Sequence, residues 1–360
     1  MLVVIDATAI HPQSGGAGRY VRELVRHLPD AGVDPVLLTR SSDRTIWTGA
    51  ASVIPRAPAS RPIRLAWEQT ALARALPAAT DVLHSPHYTM PRRRPYGVGR
   101  VVTIHDLTYF THPESHTAAK RRLFRDAIAR AAQRADALVC ISQTTAHLLR
   151  ATVPVQAPIH IVPHGVDHQR FTATPGPEDD EILASLGVRR PYLLHLGAIE
   201  PRKNVPMLID AYARVVGTGR APDLTLVLAG RPWPGYEVPD PKAGRMIRLG
   251  FLDEYAAPAL LRRAATVAYP SSAEGFGLPV LEALACGAPV VTTANTVMEE
   301  IAGDAALLVQ PGDVAQLAAA IEAALAGHGP AATHRLAQAA RYTWASSAAG
   351  HAAVYRSVCR

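Results

Sequence analysis

Short apolar runs alternate with amphipathic, helix-like stretches along the whole chain. In the first half the apolar runs are LVVIDA, PVLLT, DVLHS, VVTIHD and ALVCIS. The pattern then restarts, and the runs of the second half are PYLLHLGAI, DLTLVLAG, MIRLG, TVAYP, PVVTT and AALLV. Alternation of this kind is typical of parallel, doubly wound α/β sheets. The sequence therefore predicts two such sheets, one in each half.

A polar segment rich in proline and glycine, GVDHQRFTATPGPEDD, separates the two halves. A chain of 360 residues is also too long for one ordinary core. We predict an N-terminal domain over 1–166, a linker over 167–180, a C-terminal domain over 181–345 and a last helix over 346–360. Whether that helix crosses back to the N-terminal domain stays open. Two Rossmann-like domains facing across a crevice would place a ligand at the carboxyl ends of their strands.

Composition narrows the class of protein further. Hydrophobic residues make up 48% and charged residues 19%, which is typical of a well-packed folded protein. A membrane span is not expected, since no run of about 18 apolar residues occurs. The start MLVVIDATAI resembles a first strand rather than a signal peptide. The three cysteines show neither pairing nor metal spacing, which favours a cytoplasmic location.

The positive charge is concentrated in the first half. Residues 1–165 contain 20 Lys and Arg against 11 Asp and Glu, whereas residues 166–360 contain 17 against 19. This asymmetry predicts different partners for the two domains. A nucleic acid is not expected as a partner, because no binding motif and no aromatic stacking surface accompany the charge.

Two basic clusters lie in the N-terminal half, and their positions are Arg92 to Arg94, Lys120, Arg121, Arg122 and Arg125. With Leu123, Phe124 and Ile128 as an apolar face, the second cluster is consistent with an interfacial helix on anionic lipid. In the alternative interpretation, Leu123 and Ile128 face the core and the arginines are solvated. The sequence leaves both open.

The segment SSAEGFGLPVLEALACGAPVV carries the strongest chemical signal. It predicts a glycine loop, then a short helix with Pro279 in its first turn and Gly287 at its end. Glu274 lies in the loop and Glu282 in about the first turn. Acidic residues are favoured near any helix start, but capping alone does not require two glutamates around such a hinge. The free amides at this helix start predict an anion site.

A second loop, EPRKN, follows the strand that ends near Ala198. Arg202 and Lys203 lie in it, ahead of a helix with Asn204 as its predicted N-cap. An arginine binds phosphate oxygens bidentately and a lysine adds a point charge, so the pair predicts a diphosphate site. Carboxylates beside a diphosphate accept hydrogen bonds from hydroxyl groups on either side of it. A nucleotide sugar has that layout.

These motifs resemble those of a known family. EGFGLPVLE resembles the Glu-x7-Glu signature of retaining glycosyltransferases of family 4, which have the GT-B fold. GAIEPRKN resembles the family's phosphate loop, GGAGRY its N-terminal glycine loop, VVTIHD its histidine strand and IVPHGVD the strand leading to its linker. The motifs run from residue 2 to about 310 in the family's order, and resemble bacterial mannosyltransferase-like members that build polysaccharides and glycolipids.

The resemblance implies roles for individual positions. Glu282 would bind the ribose hydroxyls, and Glu274 the hydroxyls of the donor sugar. The other implied donor-site residues are Gly16 and His105 from the N-terminal domain, Arg202 and Lys203 at the diphosphate, and the backbone amides of Phe276, Gly277 and Leu278. Transfer would rest on positioning and electrostatic stabilisation of the leaving group. The family's front-face attack assigns no protein nucleophile.

The implied donor is GDP-mannose or a UDP-hexose, and the acceptor a glycan, a lipid-linked molecule or a small molecule. No Asp-x-Asp occurs in the sequence, which agrees with an enzyme that needs no metal and uses Arg202 and Lys203 instead. The pairs His84/His87 and His112/His116 have ligand-like spacing, but they lie beside prolines with no thiolate nearby. We therefore predict no metal site.

Two other classes of function remain. GT-B-like domain pairs also serve glycan phosphorylases and nucleotide-sugar epimerases, and dependence on inorganic phosphate would identify a phosphorylase. A glycosyltransferase-like subunit without catalysis is the other alternative. The intact set of Glu274, Glu282, Arg202 and Lys203 argues against it.

Overall fold

The structure is a computed structural model that describes residues 1–11, 15–43, 46–47, 52–253 and 255–359. It divides into two compact units. The first unit contains Met1–Gly165 and the chain from Thr343 onward, and the second contains Val166–Tyr342. The residues predicted as a linker, 167–180, are part of the second unit, and the last helix is part of the first.

The strands of both units follow the predicted order. Within its described residues, the first unit contains β1 (Leu2–Asp6), β2 (Asp34–Arg40), β3 (Val53–Ala57), β4 (Val82–Ser85), β5 (Gly99–Ile104), β6 (Ala137–Cys140) and β7 (Ile159–Ile161). The second contains β8 (Tyr192–Leu196), β9 (Thr225–Ala229), β10 (Arg245–Gly250), β11 (Thr266–Tyr269), β12 (Val290–Thr293) and β13 (Leu307–Val309).

Helices connect these strands. Those before β8 are α1 (Gly15–His27), α2 (Arg61–Thr70), α3 (Leu72–Ala75), α4 (Thr108–Thr111), α5 (Ala118–Arg134), α6 (Gln143–Thr152) and α7 (Asp179–Ser185). Those after it are α8 (Val205–Gly217), α9 (Ala257–Arg263), α10 (Leu278–Ala285), α11 (Val297–Ala302), α12 (Val314–Leu325), α13 (Ala332–Ala340) and α14 (Trp344–Val358). In the described part of the chain, every helix is too short or too polar to cross a bilayer.

Both sheets are doubly wound. The strand order is β3-β2-β1-β4-β5-β6-β7 in the first and β10-β9-β8-β11-β12-β13 in the second, and all these pairings are parallel. The predicted α/β class, with two Rossmann-like sheets, is confirmed. In each sheet the order reverses once, between β1 and β4 and between β8 and β11. Ligands of such sheets bind beside the carboxyl ends of the strands at this reversal.

Two local predictions were incomplete. Helix α1 begins at Gly15, so Gly16 and Gly18 of GGAGRY, the segment that resembles the family's glycine loop, lie inside the helix. Glycine is a poor helix former, but the first turn of a helix tolerates it because its N–H groups have no intrahelical partner. Strand β3 was not predicted, since its sequence VIPRA holds a proline and an arginine at a sheet edge.

The core of the first unit explains why its strands are so apolar. Val3 and Ile5 of β1 pack with α1 and α14 on one face of the sheet, whereas Val4 packs on the other face. Both faces of a parallel sheet are covered by helices, so successive side chains are all buried. Helix α14 lies so close to β5 that a Cβ built at Gly99 would come within 2.6 Å of the Val358 carbonyl oxygen.

A buried hydrogen-bond chain joins α14 to the sheet. His351 Nδ1 lies 2.8 Å from the Ser347 carbonyl oxygen, which can only accept, so Nδ1 carries the proton. His351 Nε2 therefore accepts from the Tyr20 hydroxyl at 2.7 Å. Since the Tyr20 proton is used there, its oxygen accepts from Thr103 at 3.0 Å. In this order of donors His351 is neutral, with its proton on Nδ1.

The same logic continues to a second histidine. The Thr103 oxygen, having donated to Tyr20, accepts from His84 Nε2 at 2.8 Å. His84 Nδ1 is then free of a proton and accepts from the Tyr355 hydroxyl of α14 at 2.7 Å. Every proton of the chain is assigned with both histidines neutral. A proton added to either ring would remove one acceptor from the chain, so a buried hydroxyl proton would lose its partner.

This buried hydrogen-bond chain should lower the free energy of unfolding of the protein at acidic pH. Burial lowers the pKa of His351 to about 4, with a further lowering from His105, and burial also lowers the pKa of His84. Unfolding returns each ring to its ordinary pKa of about 6.5, so the unfolded chain binds protons more strongly and stability falls between about pH 6.5 and 4. In urea unfolding, we expect His351→Gln to lose about 2 kcal/mol less than the wild type between about pH 7.5 and 5.

The surface residue His334, which is 44% exposed and pairs with Asp304, provides the control. His334→Gln should retain the acid sensitivity of the wild type. An unchanged pH dependence in His351→Gln would show that the buried chain does not carry the effect.

Candidate functional site

Two loops of the second unit meet at the point where its strand order reverses. One loop follows β8 and ends in a 3-10 turn over Pro201–Lys203, and the other follows β11 and ends at α10. Because β8 and β11 are neighbours, both loops leave the same edge of the sheet side by side. This is the position that parallel sheets use to bind ligands. Both sequence motifs with chemical content lie in these two loops.

The charged side chains of the two loops contact each other directly. The Glu274 carboxylate accepts from Arg202 Nη1 at 2.6 Å through Oε2, and from Lys203 Nζ through Oε1. The Glu274 and Lys203 side chains are each 8% exposed, and that of Arg202 is 23% exposed. The predicted residues are therefore brought together. No pattern in the sequence indicated that Glu274 pairs with both cations.

The ion pairs control the protonation of Glu274. Burial alone would raise the pKa of this carboxyl, but the Lys203 ammonium and then the Arg202 guanidinium outweigh burial and hold the pKa at about 2. Glu274 is thus an anion throughout the physiological pH range. It neutralises cations that would otherwise attract a phosphate group.

Main-chain bonds fix the first loop to the second. Ser272 N donates to the Arg202 carbonyl oxygen at 2.8 Å, and Arg202 Nη1 donates to the Ala273 carbonyl oxygen at 2.9 Å. The Ser271 hydroxyl lies 3.3 Å from Glu274 Oε1. These hydrogen bonds join the two loops and fix their charged groups relative to one another.

Helix α10 starts at the site as the sequence predicted. Gly277 is its N-cap with φ +95°, a conformation that favours glycine, and a Cβ there would come within 2.9 Å of Met298 Sδ. No side chain of the described residues caps this end. Pro279 lies in the first turn, and Gly287 follows the helix with φ +70°. The start of α10 thus remains available to an anion.

Glu282 lies just past the first turn of α10, close to its predicted position. Helix α10 begins at Leu278, so Glu282 belongs to the second turn, where it is 5% exposed. Asn204 differs from its predicted role. It precedes α8 with a left-handed backbone, φ +52°, and its side chain contacts Met207 Sδ instead of capping the helix.

The remaining predicted residues, Gly16 and His105, belong to the first unit. Gly16 is exposed in the first turn of α1. His105 directly follows β5, and its Nε2 lies 2.7 Å from the Pro86 carbonyl oxygen, so Nε2 carries the proton and Nδ1 is the acceptor. Burial lowers the pKa of His105, so the ring is neutral. Its ring lies 5.2 Å from that of Tyr20, edge to face.

The histidines with ligand-like spacing have protein partners. His84 is part of the buried chain of α14, His112 Nδ1 lies 3.0 Å from the Thr111 hydroxyl, and His116 stacks on Tyr109 at 4.1 Å. His87 packs against Tyr88 with ring centroids 4.8 Å apart. Among the residues with described positions, no three His, Cys, Asp or Glu side chains are grouped to hold a metal ion.

Two buried residues beside the site were not predicted from the sequence. Glu200 precedes the 3-10 turn, is 9% exposed and pairs with Arg202 Nη2 at 2.5 Å. His195 interrupts the apolar run of β8, and its Nδ1 lies 3.1 Å from the Ala268 carbonyl oxygen. Burial lowers its pKa to about 4. A polar residue within a buried strand was the available signal for His195, and a third charge in EPRKN was the signal for Glu200.

Two doubly wound domains, with a charged site at a strand reversal, are the architecture of the GT-B fold. Two family models match the chain accordingly. "Glycosyltransferase Family 4" matches residues 14–170, and "Glycosyl transferases group 1" matches residues 190–327.

Relatives give the same result. The O-antigen chain mannosyltransferase B of Escherichia coli is 29% identical over 273 residues, which cover 73% of this chain and 71% of the relative. The D-inositol 3-phosphate glycosyltransferase of Kribbella flavida is 30% identical over 329 residues, covering 78% and 75%. Among solved structures, HepE of Anabaena in complex with UDP-glucose superposes with a TM-score of 0.71 at 20% identity, covering 96% of this chain and 97% of that one.

The chain therefore belongs to glycosyltransferase family 4, and the protein is a glycosyltransferase with the GT-B fold. Bacterial mannosyltransferases are among its relatives, as the resemblance implied.

Proposed function

We propose that the protein is a retaining, metal-independent hexosyltransferase that takes its sugar from a nucleotide-diphosphate donor. One observation carries this proposal. Arg202, Lys203 and Glu274 converge at the strand reversal of the second unit, next to the start of α10. Two cations beside a free helix start form a site for a diphosphate, and a carboxylate within it suits the hydroxyls of a sugar.

The chemistry of such a site would be mainly electrostatic. Arg202 and Lys203 would stabilise the negative charge that develops on the departing diphosphate, which replaces a metal ion in that role. Glu274 would orient the sugar through its hydroxyls, and Glu282 the ribose. The amides of Phe276, Gly277 and Leu278, and Gly16 and His105 of the first unit, would complete the donor site. No protein nucleophile is assigned, so retention would follow from attack on the same face.

The relatives narrow the range of candidate sugar donors. One relative is named as a mannosyltransferase, and a structural neighbour was crystallised with UDP-glucose. They support GDP-mannose or a UDP-hexose as donor and a glycan, a lipid-linked molecule or a small molecule as acceptor. Mannose transfer in polysaccharide synthesis, in the cytoplasm, is the version that we favour.

A ligand screen with EDTA present tests the donor site. GDP, UDP, dTDP and ADP and their sugar conjugates are compared by thermal shift, because a ligand raises the melting temperature according to its concentration relative to Kd. We expect one diphosphate to stabilise the protein with the chelator present. NMR of the product from the matching sugar donor then reports the anomeric configuration.

The outcomes separate the rival functions. A requirement for a divalent ion, or an inverted product, would contradict the proposed mechanism. Turnover that depends on inorganic phosphate would indicate a phosphorylase. Tight nucleotide binding without turnover on any acceptor, together with full cellular function of a Glu274→Ala variant, would indicate a non-catalytic subunit.

Peripheral contact with an anionic membrane is a separate proposal for the first unit. The structure changes its basis, because Phe124 and Ile128 of α5 are buried in the core, and Arg125 donates to the Tyr109 carbonyl oxygen at 2.7 Å. Arg122 and Leu123 point outward, and Leu123 is 39% exposed. The charge of α5, rather than an apolar face, supports the contact.

Co-sedimentation with vesicles tests this contact. The wild type should sediment with vesicles that contain anionic lipid. Arg121→Ala with Arg122→Ala should lower the binding constant about 30-fold, because each charge contributes about 1 kcal/mol. Arg220→Ala, at an exposed position of the second unit, is the control. Equal binding to neutral vesicles, or no binding by the wild type, would contradict the proposal.

A further inference from the structure

Glu200 is a buried carboxylate that directly contacts a proposed phosphate-binding residue. Glu200 is 9% exposed and has an extended backbone. Its main-chain oxygen accepts a hydrogen bond from Lys203 N at 2.9 Å. Its carboxylate Oε1 lies 2.5 Å from Arg202 Nη2. Glu200 therefore holds both the 3-10 turn and the arginine that the turn presents.

Two carboxylates hold the Arg202 guanidinium at opposite ends. Glu200 contacts Nη2, whereas Glu274 and the Ala273 carbonyl oxygen contact Nη1 at 2.6 and 2.9 Å. Glu200 and Arg202 belong to the same loop, but Glu274 comes from the loop after β11. Arg202 is therefore held by a carboxylate of its own loop and by a carboxylate and a carbonyl oxygen of the neighbouring loop.

Donor binding in the proposed reaction changes the ion pairs of Glu274 but not that of Glu200. Glu274 must accept hydrogen bonds from the hydroxyls of the donor sugar, and the donor's diphosphate must bind the cations that Glu274 now neutralises. The ion pairs of Glu274 with Arg202 and Lys203 are then weakened or broken. The contact with Glu200 needs no such change, since Nη2 lies at the other end of the guanidinium.

An arginine released from its partner would regain its rotamer freedom, which amounts to about 2 kcal/mol for such a long side chain. A charge-assisted hydrogen bond to a buried carboxylate prevents this, because it fixes one edge of the planar group. Preorganised charge stabilises a transition state without reorganisation at the moment of reaction.

We propose that Glu200 is a positioning residue, which keeps the Arg202 guanidinium directed at the donor diphosphate when Glu274 releases it. The proposal rests on the proposed function of the site. It assigns Glu200 no contact with the substrate, only with Arg202.

Steady-state kinetics with the donor found in the ligand screen test the proposal. Glu200→Ala should lower kcat by about 10- to 100-fold with a change in donor KM below about threefold, because a misplaced Arg202 affects the transition state more than the ground state. Glu200→Gln keeps an acceptor atom in the same place and should recover most of the lost kcat. Glu322→Gln removes a carboxylate that pairs with Arg220 at 3.5 Å, and it should behave as wild type.

A double-mutant cycle adds a readout that a structural role would not change. Titration calorimetry with the nucleoside diphosphate is carried out on Glu200→Ala, Glu274→Gln and the double variant. In the Glu274→Gln background Arg202 has lost its ion pair with Glu274, so Glu200→Ala should weaken binding at least about fivefold more than it does in the wild type. Glu200→Gln in both backgrounds controls for the lost charge.

Any of four results would overturn the proposal. Equal kcat loss in Glu200→Ala and Glu200→Gln, together with a matching loss of melting temperature, would indicate a structural role. Additive binding energies in the cycle would show that Glu200 and Glu274 do not act on the same arginine. A wild type that transfers sugar while Glu200→Ala is unimpaired overturns the positioning role alone, whereas a wild type that binds no nucleoside diphosphate overturns the proposed function as well.

Discussion

Replacing Glu274 with alanine is expected to lower kcat for sugar transfer by about a thousandfold, as is typical when a preorganised polar contact to the reacting group is lost. The nucleoside diphosphate should still bind, and it should bind more tightly than to the wild type. In the structure, Glu274 neutralises Arg202 and Lys203 and so competes with any phosphate for them. Its removal ends this competition. The measurements are kcat with the identified donor and Kd for the nucleoside diphosphate.

A neutral variant of the same shape separates the site effect from folding. Glu274→Ala leaves Lys203 buried without its carboxylate, which costs a protein about 3 kcal/mol or more. Glu274→Gln retains an oxygen acceptor and should be more stable, yet it should lose most of its activity. Undiminished turnover in both variants would remove Glu274 from the active site. Weaker binding of the diphosphate would contradict the competition.

The sheets were predictable from the sequence because buried parallel strands have a strong local signature. The run of β1, for example, is apolar on both faces, since helices cover both sides of the sheet. Strand β3 lacks this signature, because an edge strand with a proline and an arginine needs no apolar run. The helix start at Gly15 was missed because a run of glycines locally favours a turn over a helix.

The residues of the site were predictable, but their contacts were not. Chemistry-bearing residues follow the strands, and carboxyl ends of parallel strands share one edge, so both loops were expected there. The ion pair of Lys203 with Glu274 joins residues 71 positions apart. It depends on β8 lying beside β11, and no local pattern encodes strand order. The family resemblance supplied roles for these residues without supplying their contacts.

The buried chain of α14 shows the same limit more strongly. In the sequence His84 belongs to a pair with His87, and His351 is a lone histidine in an alanine-rich helix, so no local pattern links the two. Tyr20 and His351 lie 331 positions apart. Only the return of the last helix to the first unit brings them within hydrogen-bond distance.

The double substitution Arg202→Ala with Lys203→Ala should weaken nucleoside diphosphate binding by about 100-fold or more. Each hydrogen bond to a charged group contributes about 1.5–3 kcal/mol, and both cations of the site are lost. Stability should fall as well. The cations hold the pKa of Glu274 at about 2, and this shift from 4.5 is equivalent to about 3 kcal/mol of stability above pH 4.5. Without them, burial raises that pKa instead, so the carboxylate destabilises the fold at neutral pH.

A third substitution distinguishes lost binding from lost folding. Adding Glu274→Gln to the double variant removes the unpaired buried charge, so the melting temperature should recover towards that of the wild type. Affinity for the diphosphate should not recover, because the two cations are still absent. Arg220→Ala, at a position that is 78% exposed, controls for the loss of a positive charge elsewhere in the same unit. Recovery of affinity in the triple variant would mean that folding alone caused the loss. The diphosphate would then have to bind elsewhere than at Arg202 and Lys203, and the internal competition between Glu274 and the donor would have no basis.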